Sequence, residues 1–317
     1  MEVFEGYRAL FRPLSAPAVA LGNFDGVHCG HQRLIQAATA AAKKQEGDSV
    51  VYTFEPHPAK VLAPKFAPQQ ITTLDRKLEL FAELGVDVCV VEPFTKELAA
   101  MEPDAFLRQV LVDVVHAQHV VVGYDFTYGR KRSGTIASLR AFADANGFSA
   151  EVIEPVDVAD IVASSTKVRN FVSTGNLEGA RLLLGRNFDV DGSVVKGAGR
   201  GRTIGVPTAN IKHDAELMPS GGVYAVRTQL LDSEQRETTI DGVANLGTNP
   251  TFTDSTAMSL EVHLFDFDED IYDRRVRVSF IERIRGERRF DGVDALVEQI
   301  HKDAAAAKEI LSEAPAK

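Results

Sequence analysis

The chain has 317 residues, of which 44% are hydrophobic and 25% charged, and its formal net charge is −10. That length suits about two domains with a core each. Divided at residue 186, both parts carry more acidic than basic residues, which argues against non-specific binding to nucleic acid, and no apolar run reaches the ~18 residues of a membrane-spanning helix. We therefore expect a globular protein that binds neither nucleic acid nor a membrane.

The N-terminus and the cysteines indicate the compartment. The first residues, MEVFEGYRALFRPL, lack the basic and then apolar pattern of a signal peptide. The chain has two cysteines, Cys29 and Cys89, which is too few for a disulfide framework. We therefore expect a cytoplasmic protein.

The first part of the chain alternates short apolar runs with segments of helical periodicity. In chain order these are APAVAL, HQRLIQAATAAAKK, SVVYTF, LDRKLELFAELG, VDVCVVE, PDAFLRQVLVDVV, QHVVVGYDF, TIASLRAFADANG and AEVIEPV. Strands that alternate with helices predict a parallel sheet joined by right-handed crossovers. The expected fold is α/β, a Rossmann-like nucleotide-binding domain.

After LLLGRNF the pattern changes to strands without helices between them. These are VDGSVV, GAGRGRTIGVPTANI, GGVYAVRTQLL, TTIDGVANLG, SLEVHLFDF and RRVRVSFIERI. Short strands separated by turn signals predict an antiparallel β-barrel, and the helical segment VDALVEQIHKDAAAAKEIL is expected to pack on it. The boundary is placed near Gly185 to Asn187, which gives domains 1–186 and 187–317.

The stretch ALGNFDGVHCGHQRL, residues 20–34, joins an apolar strand to a helix through a glycine-rich turn. Gly22 and Gly30 allow close backbone approach, and the helix start directs free N–H groups and its positive dipole end at the turn. His28 and His31 stand at that helix start, where they can donate hydrogen bonds to phosphate oxygens. Outside such a context, two histidines at this spacing are more often solvated residues.

This turn resembles the signature of the HxGH nucleotidylyltransferases, in which two histidines hold the α- and β-phosphates of a nucleoside triphosphate. The resemblance assigns His28 and His31 to catalysis. It assigns ATP or phosphate binding to Gly22, Asn23, Phe24, Asp25 and Gly30.

A later fragment, SSTKVRN at 164–170, resembles the second phosphate-binding motif of the same family. Ser164, Ser165 or Thr166 would cap a helix, and Arg169, about one turn later, would direct its guanidinium at the same triphosphate. The alternative for this fragment is an ordinary helix cap.

Two loops between these motifs are candidates for binding a planar ring. TFEPHP at 53–58 and GYDFTYGRKRSG at 123–134 both follow apolar strands, where ligands of open α/β sheets bind. Arg130, Lys131 and Arg132 are interpreted as solvated loop residues rather than phosphate contacts. The predicted flavin-binding residues are Phe54, His57, Pro58, Asp125, Phe126 and Tyr128.

The fragment GRGRTIGVPTANI, residues 199–211, is the distinctive feature of the second part. Gly199 and Gly201 suit a loop that covers phosphates. Thr208 and Asn210 add two hard oxygen ligands, which suit Mg²⁺ better than zinc. The alternative is a hydrogen-bonded turn of a β-barrel that binds nothing.

PTAN, together with NLGTNPTF at 245–252 and SLEVHLFDFD at 259–268, resembles the flavokinase module of bacterial bifunctional FAD synthetases. The same family carries the N-terminal motifs in this order, so the resemblance covers nearly the whole chain. It implies that riboflavin is phosphorylated with Mg·ATP to FMN, and that FMN receives AMP from a second ATP. By this match Glu261 is the kinase base, while Thr208 and Asn210 hold Mg²⁺. Without the family match, we would interpret Glu261 as an outward-facing strand residue with no catalytic role.

Two positions depart from the family pattern. Cys29 stands where many relatives have a basic residue, and Tyr128 stands where Phe is common. Neither is a residue to which we assign chemistry.

Three alternatives stay open at this stage. Class I aminoacyl-tRNA synthetases also use a turn of this kind, but the chain shows no KMSKS-like loop. A flavin sensor without turnover, or an enzyme with one active module, would keep the same fold. The expected partners are riboflavin, FMN and ATP, and the oligomeric state, including a homo-oligomer, is undetermined.

Overall fold

A computed structural model describes residues 1–197, 201, 205–232, 239–248 and 258–314. Its internal contacts divide the chain into two compact units. The N-terminal unit comprises Met1–Gln69 and Leu74–Ser164. The C-terminal unit comprises Gln70–Thr73 and Ser165–Lys317.

The N-terminal unit is built on a six-stranded parallel sheet with strand order β1-β4-β3-β2-β5-β6. The strands are β1 (Glu2–Glu5), β2 (Ala18–Leu21), β3 (Ser49–Glu55), β4 (Val88–Pro93), β5 (His119–Gly123) and β6 (Ser149–Ile153). The helices are α1 (Cys29–Lys44), α2 (Pro58–Leu62), α3 (Leu74–Glu83), α4 (Lys96–Ala99), α5 (Pro103–Phe106), which continues into a π-helical segment (Leu107–Val114), and α6 (Ile136–Asn146). A short hairpin, β7 (Asp157–Val158) and β8 (Ile161–Val162), follows.

Both faces of this sheet are buried, which explains the unbroken apolar runs of its central strands. Leu21 and Tyr52 belong to a core on one face, whereas Ala20, Val51 and Val121 belong to a core on the other. The alternating directions of successive strand residues separate the two sets. The α/β expectation is therefore confirmed.

The strand order fixes where a ligand can bind. From β2 the chain continues to β3 and β4 on one side, and it returns to place β5 and β6 on the other. Such a reversal opens a crevice at the carboxyl ends of the strands that flank it. The loops after β2, β3 and β5 therefore meet at one edge of the sheet.

The C-terminal unit contains a closed antiparallel barrel with strand order β10-β13-β12-β11-β14-β9. The strands are β9 (Phe188–Val195), β10 (Ala209–His213), β11 (Gly222–Leu230), β12 (Thr239–Thr248), β13 (Met258–Leu264) and β14 (Arg275–Arg285). The helices of this unit are α7 (Ser165–Thr174), α8 (Leu177–Leu184) and α9 (Val293–Glu313).

The last helix packs on the barrel as the sequence predicts. Helix α9 contacts β11, β12 and β14, and it buries Ala307 and Leu311 against Val223 and Ala225. In the ranges that the structure describes, no helix is both long and apolar enough to cross a membrane.

The division by contacts falls between Ser164 and Ser165, whereas the change of sequence pattern falls at 186/187. Helix α8 packs against β9 and β14, so α7 and α8 group with the barrel. The assignment of one activity to 1–186 and the other to 187–317 stays a prediction.

Candidate functional site

The turn after β2 has an unusual backbone held in place by a buried ring. Phe24 and Val27 adopt positive φ angles of 51° and 43°, and Gly26 between them has φ 84°. The Phe24 ring is 1% exposed and packs edge-to-face on Phe81 of α3, with ring centroids 5.7 Å apart. Its burial offsets the cost of the left-handed backbone, so the turn has one defined shape.

His28 caps the helix that follows this turn. Its Nδ1 accepts hydrogen bonds from the backbone N–H of Gly30 at 3.2 Å and of His31 at 3.4 Å. A neutral imidazole that accepts at Nδ1 carries its proton on Nε2, which makes Nε2 a donor. The His31 ring stacks on His28 with centroids 3.6 Å apart. The two predicted histidines are therefore adjacent at the N-terminus of α1.

Gly30 lies against the ring of His28. A Cβ atom on Gly30 would lie 3.0 Å from Cε1 and 3.1 Å from Nδ1 of His28. That spacing is tighter than most carbon contacts, so a side chain at position 30 would require the His28 ring to shift by a few tenths of an ångström.

The remaining residues of the turn differ in how far they are exposed to solvent. Asn23 is exposed, and its carbonyl accepts a hydrogen bond from Thr53 at 3.1 Å, which links the turn to β3. Asp25 is 3% exposed, so its carboxylate lies under the turn rather than at its surface. Gly22 donates its backbone N–H to the carbonyl of Tyr52.

The loop after β3 repeats the capping arrangement. His57 accepts the backbone N–H of Ala59 at its Nδ1, at 3.2 Å, and so caps α2, which begins at Pro58. Its Nε2 is likewise the donor atom. Phe54, at the end of β3, is half-buried and packs edge-to-face on Phe94. The sequence alone does not reveal this second histidine cap.

The loop after β5 presents Asp125 and Phe126. Asp125 is exposed, and Phe126 is half-buried and stacks on Tyr128 with centroids 5.5 Å apart. Tyr128 itself is 6% exposed, its hydroxyl lies 2.9 Å from Oγ of Ser138, and burial raises its pKa. Tyr128 therefore supports Phe126 from the core, and Asp125 and Phe126 are the more exposed of the three predicted flavin-binding residues in this loop.

The basic residues of this loop are exposed, and their interpretation as solvated residues rather than phosphate contacts stays a prediction. Arg130, Lys131 and Arg132 are all exposed. Arg130 pairs with Glu102 at 2.8 Å, and both side chains are 58% exposed.

The SSTKVRN fragment is partly helical, as expected. Ser164 ends the N-terminal unit, Ser165 and Thr166 form the first turn of α7, and Arg169 follows on the same helix. That these residues share one triphosphate site with His28 and His31 stays a prediction.

A second group of polar residues lies on the barrel. Strand register pairs Asn210 of β10 with Glu261 of β13, and pairs Glu261 with Asn245 of β12. Residues directly opposite each other in neighbouring strands share one face of the sheet. Glu261 therefore stands between two amides, and Asn245 is a polar neighbour that the sequence motifs do not identify.

Glycines bring backbone close to the two predicted metal ligands. A Cβ on Gly197 would collide with the side-chain amide of Asn210, and one on Gly201 would lie 3.2 Å from Oγ1 of Thr208. The flanks of the glycine-rich segment therefore lie against both residues. Gly199, the other predicted phosphate-binding glycine here, lies outside the described residues.

A cavity of about 210 Å³ adjoins this group. Tyr272, whose side chain is 41% exposed, stands at its rim beside the acidic residues 268–270. Its wall includes Thr208 and the apolar residues Val194, Pro207, Val262, Leu264 and Ile271.

The donor set on the barrel fits a magnesium ion. Thr208 and Asn210 offer a hydroxyl and an amide oxygen, hard ligands of the kind that Mg²⁺ prefers, and the carboxylate of Glu261 belongs to the residue opposite Asn210. Within the described part of the chain, no group of three or more His, Cys, Asp or Glu residues forms a metal site. A metal here would thus rely on mixed oxygen donors.

Both regions match known protein families. Residues 12–167 match the family described as FAD synthetase, and residues 184–311 match the family described as riboflavin kinase. The first match contains His28, Gly30, His57 and Asp125, and the second contains Thr208, Asn210 and Glu261, while Arg169 lies between the two matched ranges.

Full-length relatives agree with these matches. A bifunctional riboflavin kinase/FMN adenylyltransferase from Listeria monocytogenes is 39% identical over 90% of this chain and 89% of its own. The protein of the same name from Escherichia coli K12 is 36% identical over 98% of both chains. The crystal structure of a Streptococcus pneumoniae protein named Macrolide-efflux Protein superposes with a TM-score of 0.85 at 31% identity, over 99% of both chains. The chain belongs to the family of bifunctional riboflavin kinase/FMN adenylyltransferases.

Proposed function

We propose that this chain makes FAD from riboflavin in two ATP-dependent steps. The C-terminal region phosphorylates riboflavin to FMN, and the N-terminal region transfers AMP from ATP to FMN with release of pyrophosphate. One observation carries the proposal: each of the two family matches contains its own group of polar residues suited to its reaction. Membership of this family also excludes the aminoacyl-tRNA synthetase alternative.

In the kinase step, we assign Glu261 as the general base. Its carboxylate takes the proton of the ribityl hydroxyl while that oxygen forms a bond to the γ-phosphorus and ADP leaves. Asn210 and Asn245, opposite it on both neighbouring strands, hold the carboxylate and the hydroxyl in place.

We assign Thr208 and Asn210 as ligands of Mg²⁺, which when bound would neutralise charge on the ATP phosphates. The closeness of Gly197 and Gly201 to these two side chains supports a loop whose backbone covers the phosphates. The apolar wall of the cavity beside Thr208 suits the adenine ring, with Tyr272 available to stack on it.

In the adenylyl transfer, no enzyme nucleophile is needed. A phosphate oxygen of FMN attacks the α-phosphorus of ATP, and the bond from that phosphorus to the bridging oxygen of pyrophosphate breaks. Negative charge grows on the leaving pyrophosphate. We assign Nε2–H of His28, His31, the N-terminus of α1 and Arg169 to the stabilisation of this charge, and the adjacent positions of the two histidines at the start of α1 support the assignment.

The flavin of FMN is assigned to the loops after β3 and β5. Phe54 and Phe126 offer half-buried aromatic faces, while His57 and Asp125 offer polar edges.

A cytoplasmic location fits the two cysteines, both of which carry thiols.

The direct test uses two incubations of the purified protein. One contains riboflavin, ATP and Mg²⁺, and the other contains FMN, ATP and Mg²⁺, with the flavins resolved by chromatography. FMN and FAD from the first mixture, and FAD from the second, are the expected products. Flavin binding without conversion in either mixture would instead identify a flavin sensor.

A further inference from the structure

A histidine on the barrel contacts the segment that carries Thr208, although the proposed mechanism does not use it. Nδ1 of His263, on β13, lies 2.8 Å from the carbonyl oxygen of Pro207. A carbonyl oxygen only accepts hydrogen bonds, so Nδ1 carries the proton and donates. The contact joins residues 56 positions apart in the chain, and it therefore ties the end of the glycine-rich segment to a strand of the barrel.

Strand geometry places His263 on the same face as the proposed base. Val262 is 1% exposed, whereas Glu261 and His263 on either side of it are half-buried, so these two side chains share the opposite face of β13. Asn210 of β10 lies opposite Glu261. Since the two strands run in opposite directions, Thr208, two residues before Asn210, comes level with His263.

The hydrogen bond from His263 acts on the peptide unit that leads into Thr208. The carbonyl of Pro207 and the amide nitrogen of Thr208 belong to one planar group, so fixing the direction of this carbonyl orients the backbone of Thr208. Both residues precede β10, which begins at Ala209, and so they lie outside the strand. Proline has no N–H to donate, which leaves its carbonyl as the backbone group through which Pro207 can be anchored.

The histidine ring is itself held in place. It packs edge-to-face on Phe265, with ring centroids 5.7 Å apart. Phe265 is 8% exposed and belongs to the core that the barrel shares with α9. On the other side, Val206 donates its N–H to the carbonyl of Gly201 at 2.9 Å, immediately before the same peptide unit. The peptide unit is therefore flanked by two fixed contacts.

We infer that His263 is a positioning residue of the kinase step. Through the Pro207 carbonyl it holds the hydroxyl of Thr208 in the direction needed to bind Mg²⁺, and it acts neither as the base nor as a metal ligand. Groups that orient metal ligands in this way are worth about 10- to 100-fold in metal affinity or activity. This inference rests on the proposed function, in which Thr208 binds Mg²⁺.

Three substitutions of His263 separate its two nitrogens from its ring. The amide of His263→Asn places an N–H donor near the position of Nδ1, whereas the longer His263→Gln places its amide near the position of Nε2. His263→Phe keeps a ring that can pack on Phe265 but has no donor. The matched control is His301→Gln, at an exposed histidine on α9.

Binding without turnover is measured by titration calorimetry of the full chain with ADP, in the presence and absence of Mg²⁺. The Mg²⁺-dependent binding that Thr208→Ala removes identifies the barrel site. In His263→Phe and His263→Gln we expect this binding to weaken by about 10- to 100-fold. KM for Mg·ATP in FMN formation should rise by the same factor, with KM for riboflavin unchanged. His263→Asn and the control should stay close to the wild type.

Melting temperatures of all these variants are expected to match the wild type, because Pro207 lies outside the strand ladder. Mg²⁺-dependent binding at the wild-type level in His263→Phe overturns the inference, and so does a His263→Asn variant as weak as His263→Gln. Weak binding that accompanies earlier melting or failure to fold assigns His263 a structural role and also overturns it. If Thr208→Ala leaves ADP binding unchanged, the proposed metal site is wrong and the inference fails with it.

Discussion

Nδ1 of His28 accepts the backbone N–H of His31 at 3.4 Å while the two imidazole rings stack with centroids 3.6 Å apart. One histidine therefore caps α1 with one nitrogen and presents the other nitrogen as a donor. The structural and the chemical role of His28 reside on different atoms, so substitutions can separate them.

His28→Asn tests this separation. Asparagine is a good helix cap, so the stability of α1 should be kept, but it lacks a donor at the position of Nε2. We expect FAD formation from FMN to fall by about 100-fold, in the range found for loss of a charge-stabilising donor. His28→Ala should lose the cap as well, at about 1 kcal/mol of stability. Melting temperature and FAD formation measure the two effects, and an active His28→Asn would refute the donor role.

Gly30→Ala tests the fit between helix backbone and ring. The added Cβ would lie 3.0 Å from Cε1 of His28 and should shift the imidazole by a few tenths of an ångström. We expect a loss of FAD formation with kinase activity unchanged. Gly292→Ala is the matched control, because a Cβ at Gly292 meets nothing within 4 Å. Equal adenylyltransferase activity in both variants would show that the ring has room to move.

Much of the fold is predictable from local sequence. The central strands read as apolar runs because both faces of the sheet are covered, and α9 reads as a helix from its composition. Strand β1 is missed because Glu2, Val3 and Glu5 are exposed at the sheet edge and leave no apolar pattern. The grouping of α7 and α8 with the barrel depends on packing across the chain, which local periodicity does not encode.

The residues of the candidate sites are likewise predictable from the sequence where their contacts are local, and not where their contacts are distant in the chain. His28 and Gly30 are recognisable because their roles depend on neighbours within three residues. The sequence assigns Asp25 to phosphate binding and Tyr128 to flavin binding, but no motif indicates that both side chains are buried. Asn245 meets Glu261 only through strand register, which no motif spacing reveals.

The two thiols should differ in reactivity. Cys89 is fully buried, and burial raises its pKa to about 12, so almost no thiolate exists near pH 8. Cys29 is half-buried and lies between His28 and His31 in the sequence. Treatment of the native protein with iodoacetamide at pH 8 should modify one thiol, identified by mass spectrometry as Cys29, and should block FAD formation but not FMN formation. Cys29→Ser is expected to be resistant, and modification of Cys89 in the folded protein would contradict the assignment.

Glu261→Gln tests the proposed base of the kinase step. The amide keeps the shape of the side chain between Asn210 and Asn245, so the barrel should fold unchanged, but it cannot take up the ribityl proton. We expect FMN formation from riboflavin to fall by about 10²- to 10⁴-fold, the range for loss of a general base. FAD formation from supplied FMN should persist, because that reaction is assigned to the other unit.

Glu282→Gln, at an exposed position on β14, is the matched control and should keep both activities. Wild-type kinase activity in Glu261→Gln would assign the base to another group, whereas loss of both activities in the folded variant would contradict the assignment of the two reactions to separate sites.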